Sequence, residues 1–517
     1  MLPILTSSQI HRLEVLAMEQ GPITALDLME RAGAACVRRI VELHGKGDFG
    51  GADRFVVLAG MGNNGGDGFV IARLLHLAGL PVRIVYVLHR NEPSNENALN
   101  LQQLRSMGIE IDAIDHSIIA IHIIQNEIVI DAFIGTGITP PVDSWVGALI
   151  ASVNASGRTV IAIDLPSGMV APEDGKDFDP AACIHADLTL TFEGPRLGFL
   201  LPETGVCAGR FEILPIGLDA AVKAGADRIG DWVRASDLRG CLHPRPRFGH
   251  KGTFGHALVI AGSRGMYGAA VLALKGCLRG GVGLVTGHVP GEAAAGLTSA
   301  VPDAMCSIDT GSDHLSGVPP LDRFDAVALG PGMGQHAETT AVVEHCLRSV
   351  RGAMVLDADA LNILATRPDW FHFLGPNTVL TPHPKEMDRL LGSPSKTSYE
   401  RLRRAQAFAQ LHECTVVLKG AYSVTCASDG KLYFNSTGNV GMAKGGSGDV
   451  LTGLLAGLLA QGYSALDACL IGVYLHGLAG DLAAEELGMD AMRPSDLVDA
   501  LPTAWKTLRG TSEQAVQ

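Results

Sequence analysis

The sequence predicts an α/β fold in two three-layer α/β/α domains. Three observations carry this. Short, continuously apolar stretches rich in Val and Ile recur along the 517 residues, as strands buried on both faces require. Many run straight into glycine-rich turns, among them Gly60–Gly68, Gly262–Gly265 and Gly330–Gly334. Helical segments follow the turns, so strand, glycine turn and helix repeat as a unit of doubly wound architecture. The length allows two or more domains with ample core, and 63 glycines suit such loops.

Composition narrows the function classes. A net charge of −14 argues against a general nucleic-acid binder, which needs a basic surface. It leaves room for an anionic nucleotide, because loop amides and a few lysines act locally. The 10 cysteines are scattered with no C-x-x-C pair, so neither a zinc site nor a disulfide framework is indicated. Reduced thiols and a cytoplasmic setting are the default expectation. Met1–Thr6 has no basic segment and no long apolar run, so no signal peptide is expected. No stretch is expected to span a membrane, Val450–Ala460 being too short.

Taken in order, Ser7 to Ile40 reads as mostly helical with a break at Gly21-Pro22. Phe55–Ala59 is a buried strand, Gly60–Gly68 a loop, and Phe69–Leu77 a helix. Gly60, Gly62 and Gly65 match the dinucleotide fingerprint, yet the next strand, Val82–Leu88, ends in His89-Arg90-Asn91 and lacks the acid that should hold the ribose. Asn63, Asn64 and Asp67 instead offer oxygens for a hard cation or sugar hydroxyls; a plain Asn- and Gly-rich turn is the alternative. Ile128–Asp131 closes on Asp131 beside Gly135-Thr136-Gly137-Ile138-Thr139-Pro140-Pro141. Val160–Asp164 closes on Asp164, before Leu165-Pro166-Ser167-Gly168. Three strand ends thus deliver acids or hydroxyls to one crevice, where open α/β sheets bind ligands.

Residues 217–250, punctuated by Gly230-Asp231-Trp232 and His243-Pro244-Arg245-Pro246-Arg247, read as the connection between domains 1–225 and 226–517. Strand Ala257–Ala261 enters Gly262-Ser263, and helix Ala269–Leu278 follows. Ala326–Leu329 leads to Gly330–Gly334, Met354–Asp357 to Asp359, and Val379–Thr381 to His383 between two prolines. Thr415–Leu418 runs into Lys419-Gly420-Ala421-Tyr422-Ser423, where a lysine beside glycine suits a phosphate or adenine-ribose, or is a solvated turn lysine. The tail after Gly510 is polar and expected to be disordered.

The sharpest signal is Ala443-Lys444-Gly445-Gly446-Ser447-Gly448-Asp449, set directly before an apolar helical run. Free amides at a helix N-terminus and the helix dipole make a phosphate cradle, and glycines permit close approach. Asp449 stands in the first turn. A carboxylate there is suited to taking a proton from an attacking hydroxyl; otherwise it is an N-cap.

This segment resembles the Gly-Gly-Ser-Gly-Asp loop of the ribokinase-like superfamily. With His250-Lys251-Gly252, Ala261-Gly262-Ser263, Gly330–Gly334, Asp357–Asn362 and Thr381–Glu386 it is similar to the ADP/ATP-dependent NAD(P)H-hydrate dehydratases over residues 230–505. Residues 5–217 resemble the Rossmann-like NAD(P)H-hydrate epimerase domain, although Arg31 precedes Ala32-Gly33 where that family often has Asn. In the epimerase domain the resemblance implies a potassium ion on Asn64, Asp131 and Ser167. It places the substrate on Asn63, Asn64, Gly65, Gly66, Asp67, Gly135–Pro141 and Asp164. In the dehydratase domain it implies substrate contacts from Ala269, Gly332, Gly334, His383 and Asp449. Nucleotide falls to Lys419–Ser423 and to Gly445, Gly446, Ser447 and Gly448.

The chemistry implied is repair of hydrated NADH or NADPH: R and S forms interconvert, and the S form is dehydrated at the expense of ADP. Asp449 is the expected base toward the hydroxyl, a divalent ion such as Mg2+ the expected phosphate bridge, and Asp131 the expected acid/base of epimerisation. Expected partners are the two hydrates and ADP, without nucleic acid or membrane, and a homo-oligomer is the expected assembly. The rival reading is a small-molecule kinase fused to a nucleotide-binding module.

Overall fold

The computed structural model describes residues 1–21, 23–135, 143–175, 177–218 and 228–510. Outside these lie the expected break at Pro22, the loop residues Thr136, Gly137, Ile138, Thr139, Pro140 and Pro141, the expected boundary at 225/226, and the tail after Gly510. By internal contacts the chain forms two compact units, Leu2–Gly230 and Asp231 onward.

The first unit holds seven parallel strands. In sheet order they are Ile111–Ile114, Val82–Val87, Arg54–Ala59, Glu127–Ala132, Val160–Ile163, Leu188–Phe192 and Arg210–Leu214. Counted along the chain this is the doubly wound Rossmann order with one strand added. The carboxyl ends of the first and fourth strands stand side by side where the order reverses, Leu58 pairing with Asp131.

Period-two geometry sorts each strand's side chains between two cores. Phe55, Val57, Ile128 and Ile130 pack under Ile40 and Leu43 of helix Ala25–Lys46, Phe69 and Leu75 of Asn63–Leu77, and Leu104 of Asn95–Ser106. Val56, Leu58 and Val129 pack on the other face, against Leu149 and Ile150 of helix Ser144–Asn154. That is why these strands read as unbroken apolar runs. Helices Ser7–Gln20 and Ala25–Lys46 each start with a capping box, Thr6 with Gln9 and Thr24 with Asp27.

The second unit has a mixed sheet. Its strands run in the order Gly230–Val233, Leu432–Asn435, Val424–Cys426, Thr415–Leu418, Thr378–Leu380, Ala353–Leu356, Ala326–Leu329, His256–Ile260, Leu284–Val289 and Met305–Ile308. The hairpin contacts of Val424–Cys426 are antiparallel; the remaining pairings are parallel. Gly230–Val233 corrects the reading of 217–250 as mere connection. Trp232 and Val233 are too apolar to leave in water, and they are buried in a strand beside Leu432–Asn435.

Helix Ser447–Ala460 lies against Tyr267–Arg279 with almost no side chain between them. A Cβ on Gly453 would fall 1.7 Å from the Ala273 carbonyl oxygen, and one on Gly457 2.5 Å from that of Cys277. Glycine is required at both positions.

One long apolar helix was not singled out in the sequence. Helix Ala465–Leu487 is long and apolar enough to cross a membrane by composition. Here 67% of its apolar window is buried, against Ser447–Ala460 and Pro494–Arg509, as a helix apolar all round is when it fills a core.

Candidate active sites

In the first unit the glycine run is not a free loop. The helix begins at Asn63, not Phe69, with Gly62 as N-cap, so Asn63–Asp67 form its first turn. The run looked like a loop because Asn and Gly are poor helix-interior residues, but near a helix N-terminus the penalty is small and the first amides need no intrahelical partner. Close packing demands the glycines: a Cβ on Gly65 would sit 1.9 Å from the Gly60 carbonyl oxygen. Buried Asn97, which sequence reasoning passed over, locks the turn by donating Nδ2 to Gly60 O at 2.9 Å and Gly62 O at 3.0 Å.

Asp131, next to last in its strand, is 0% exposed. Its Oδ1 accepts from Ser167 Oγ at 2.5 Å and Phe133 N at 3.2 Å, and its Oδ2 from Ser167 N at 2.7 Å. Burial pushes its pKa up to about 6 against those three hydrogen bonds. Ser167 Oγ in turn accepts from Ile134 N at 2.7 Å, and Gly135 packs on Asn64, its Cβ position 3.2 Å from the Asn64 Cβ. Asn64, Asp131, Gly135 and Ser167 are therefore one constellation, as the sequence predicts. Asn64 is 8% exposed, and neither its Oδ1 nor its Nδ2 has a hydrogen-bond partner among the described residues. A buried, orphaned amide oxygen packed on Gly135, whose neighbour Ile134 is held by Ser167, fits a hard monovalent cation.

Asn64 and Gly135 border a cavity of about 570 Å³, lined also by Glu14, Asn63, Asp67, Asp164 and Arg196 among others. Asp164 takes a left-handed backbone (φ 65°), which Asp tolerates better than most residues, and its carboxylate pairs with Arg196. Glu14 and Arg196 went unseen in the sequence: each is a lone charge far along the chain from the motifs. Asp131 does not line the cavity; its expected place as a proton shuttle at the substrate is not what the geometry offers.

In the second unit, Gly446 turns left-handed (φ 104°) and caps helix Ser447–Ala460, which sets Asp449 in the first turn as predicted. Lys444 is no phosphate ligand here. Its Nζ donates to the carbonyls of Asp490 at 2.7 Å and Met492 at 2.5 Å. Buried Ser447 has an Oγ without partner among the described residues, and its carbonyl meets His476 Nε2 at 2.9 Å. Lys419, at the end of Thr415–Leu418, donates to Asp357 Oδ1 at 2.8 Å and lies 3.9 Å from Glu386. Thr452 Oγ1 donates to Asp357 Oδ2 at 2.7 Å. Burial opposes the Lys419 charge, but Asp357, Glu386 and Asp449 outweigh it and raise its pKa. Burial, then the charges of Asp357 and Asp359, push Asp449 up to about 6, with Lys419 opposing.

The remaining predicted residues converge on the same sheet edge. Gly334 N donates to Asp359 at 2.9 Å, and Gly332 packs against Ala269, its Cβ position 3.1 Å from the Ala269 Cβ. His383 caps helix Pro384–Leu390: its Nδ1 accepts from Lys385 N at 3.1 Å and Glu386 N at 3.3 Å. Burial first, then Lys419 and Arg389, lower its pKa, so a neutral ring presents Nε2–H. Lys419–Ser423 forms the turn after its strand, with Gly420 N donating to Ser423 Oγ at 3.3 Å. Asp357, Glu386 and Asp449 gather around Lys419, with Asp359 beside Asp449, a cluster of carboxylates that suits a divalent cation. Among the described residues no three His, Cys, Asp or Glu side chains could hold a metal alone, so such an ion would share phosphate oxygens and water.

Comparison with known proteins covers both units. The family profile described as NAD(P)H-hydrate dehydratase matches residues 257–503, and that of the YjeF-related protein N-terminus matches residues 25–198. The bifunctional NAD(P)H-hydrate repair enzyme Nnr of Moorella thermoacetica is 36% identical over 530 residues, covering 99% of this chain and 98% of that one. The enzyme of the same name from Escherichia coli K12 is 34% identical, covering 96% and 92%. A crystal structure of ADP/ATP-dependent NAD(P)H-hydrate dehydratase from Bacillus subtilis, co-crystallised with ATP/Mg2+, is 30% identical with a TM-score of 0.47, covering 54% of this chain and 99% of that one. With these relatives spanning both α/β units, Rossmann-like and ribokinase-like, the chain belongs to the family of bifunctional NAD(P)H-hydrate repair enzymes.

Proposed function

We propose that the first domain interconverts the R and S forms of hydrated NADH and NADPH, and that the second returns the S form to NAD(P)H with ADP as phosphoryl donor, releasing AMP and phosphate. The observation that carries the second half is Asp449: a carboxylate with a raised pKa in the first turn behind the Gly445–Gly448 amides. Hydroxide leaves poorly and phosphate leaves well. Asp449 takes the proton of the hydrate hydroxyl as its oxygen attacks the β-phosphorus of ADP. The amides of Gly445 to Gly448 face the transferring phosphoryl group and offset its charge. Loss of phosphate and of a proton from the adjacent ring carbon restores the dihydronicotinamide. His383, Ala269, Gly332 and Gly334 form the substrate wall, and Lys419–Ser423 the nucleotide side. Asp357 and Asp449 would hold a Mg2+ ion, which when bound would supply positive charge against the phosphates.

In the first domain, Asn64, Asp131 and Ser167 would hold potassium, which supplies a fixed positive charge beside the substrate. Asn63–Asp67, Gly135–Pro141 and Asp164 orient the hydrate. The protein works as a cytoplasmic homo-oligomer on small molecules. The deciding experiment supplies mixed hydrate epimers and ADP to the full chain and follows NAD(P)H absorbance with AMP release. Complete recovery of both epimers is expected. A stable phosphate ester without absorbance would instead identify a kinase.

A further inference from the structure

Epimerisation needs a proton donor at the hydrated carbon, and buried Asp131 does not reach the cavity where that carbon would lie. Five other carboxylates line it: Glu14, Asp67, Glu96, Asp164 and Glu193, of which Glu193 accepts from the Ile216 and Leu218 amides at 2.8 and 3.1 Å. Asp164 is engaged by Arg196 and by Thr191 Oγ1 at 3.3 Å. Glu14, on helix Ser7–Gln20, keeps a side chain 41% exposed, and its nearest ionic partner is His11 at 3.9 Å. The cavity is built for a polar guest, since the unpartnered carboxamide of nine-tenths-buried Asn64 lines the same wall.

We propose that Glu14, together with Asp67 on the same cavity wall, is the catalytic acid of epimerisation. This rests on the epimerase reading above. Electrostatics support the geometry. Burial first, then the Asp164 charge, raise the Glu14 pKa against Arg196 and His11. Burial, then the charges of Asp164 and Glu14, raise the Asp67 carboxyl well above its ordinary value. Both shifts favour the protonated, proton-donating form of these two carboxyls. Arg90, Glu96 and Glu193 complete the charged lining.

The step balances. The pair donates its proton to the hydroxyl oxygen as the carbon–oxygen bond breaks. The lone pair of the ring nitrogen forms the double bond to that carbon, and water departs. Water then adds to the opposite face, the electron pair returns to nitrogen, and the surplus proton passes through cavity water back to the ionised carboxyl. The product differs from the substrate only in configuration.

The test uses the full chain and purified R hydrate without ADP, with epimers separated by chromatography from pH 5 to 9. Glu14→Gln should lower kcat by about 100-fold or more and flatten the basic limb, with KM within about threefold. Glu14→Asp should keep measurable turnover and the limb. Both variants should keep wild-type ADP-dependent dehydration of the S hydrate and the wild-type thermal response to potassium. Glu14→Gln turnover within about threefold of wild type, with an unchanged pH profile, overturns the proposal. So does equal loss in both variants accompanied by loss of the potassium response, which marks a structural role. A wild-type chain that leaves R hydrate untouched overturns the epimerase reading itself.

Discussion

The Lys419 ammonium donates to Asp357 over 2.8 Å while standing 3.4 Å from the Cβ position of Gly448. One cation thus restrains both the acid closing strand Ala353–Leu356 and the cradle that precedes Asp449. The charge on Asp449 is set first by its burial and then by this neighbourhood, Asp357 raising its pKa and Lys419 opposing.

Asp449→Asn should abolish dehydration while leaving nucleotide affinity within about tenfold, because the amides bind the phosphates. The wild-type carboxyl has a folded pKa of about 6 against 3.8 unfolded, so its contribution to stability is present below 3.8 and lost as pH rises through 6. The variant should therefore melt at or above the wild-type Tm at pH 7. Calorimetry and single-turnover kinetics check the pair of outcomes; near-normal dehydration would remove the general-base role.

As a base, Asp449 must be ionised, so kcat/KM for dehydration should fall below pH about 6. Lys419→Gln removes the cation that opposes the shift and should move this limb to higher pH in whatever activity remains. Asp357→Asn removes a raising charge and should move it lower. Limbs that shift together in one direction would contradict the assignment.

Potassium should raise the Tm of the first domain and support epimerisation, because a bound ion stabilises the native state. Asn64→Ala should lose both responses. Indifference to replacing potassium by tetramethylammonium, in thermal scans and in turnover, would exclude an ion at Asn64, Asp131 and Ser167.

Burial depresses His476 to about 4 from 6.5, against its hydrogen bond to the Ser447 carbonyl. The stability of neutral His476 is complete above pH 6.5 and is lost as pH falls toward 4, on the order of 3 kcal/mol at most. His476→Gln should flatten that part of the stability profile in urea titrations at fixed pH values.

Separate chains of residues 1–225 and 226–517 should each be active, since each domain has its own sheet, core and site. The second alone should consume only the S hydrate, and adding the first in trans should complete conversion. Fragments inactive apart but active when mixed would point to a shared site.

Much of this was legible in the sequence because strand ends carry their signature locally. Asp164, His383 and Asp449 each follow a buried run or open a helix and stand at such junctions, whereas Asp131 lies inside its strand and off the cavity. Glu14, Asn97 and Arg196 have no local signature; only the sheet's order brings them to the cavity and the glycine turn. The helix start at Asn63 was missed because Asn-Gly chemistry marks turns and helix beginnings alike, and the choice is made by Asn97 holding Gly60 and Gly62. Trp232 was misread as connection because its partner strand begins two hundred residues later, at Leu432.

The glycine seam between helices Tyr267–Arg279 and Ser447–Ala460 has a bearing on how such a protein can change. Where side chains separate two helices, substitutions adjust the spacing by small steps. Here main chain rests on main chain, so Ala269 on one helix and Asp449 on the other are held like two jaws of a casting. Drift or laboratory selection for new hydroxyl substrates has no dial to turn at Gly453 or Gly457. It must act on the surrounding loops, and these two positions should be the last to accept any replacement.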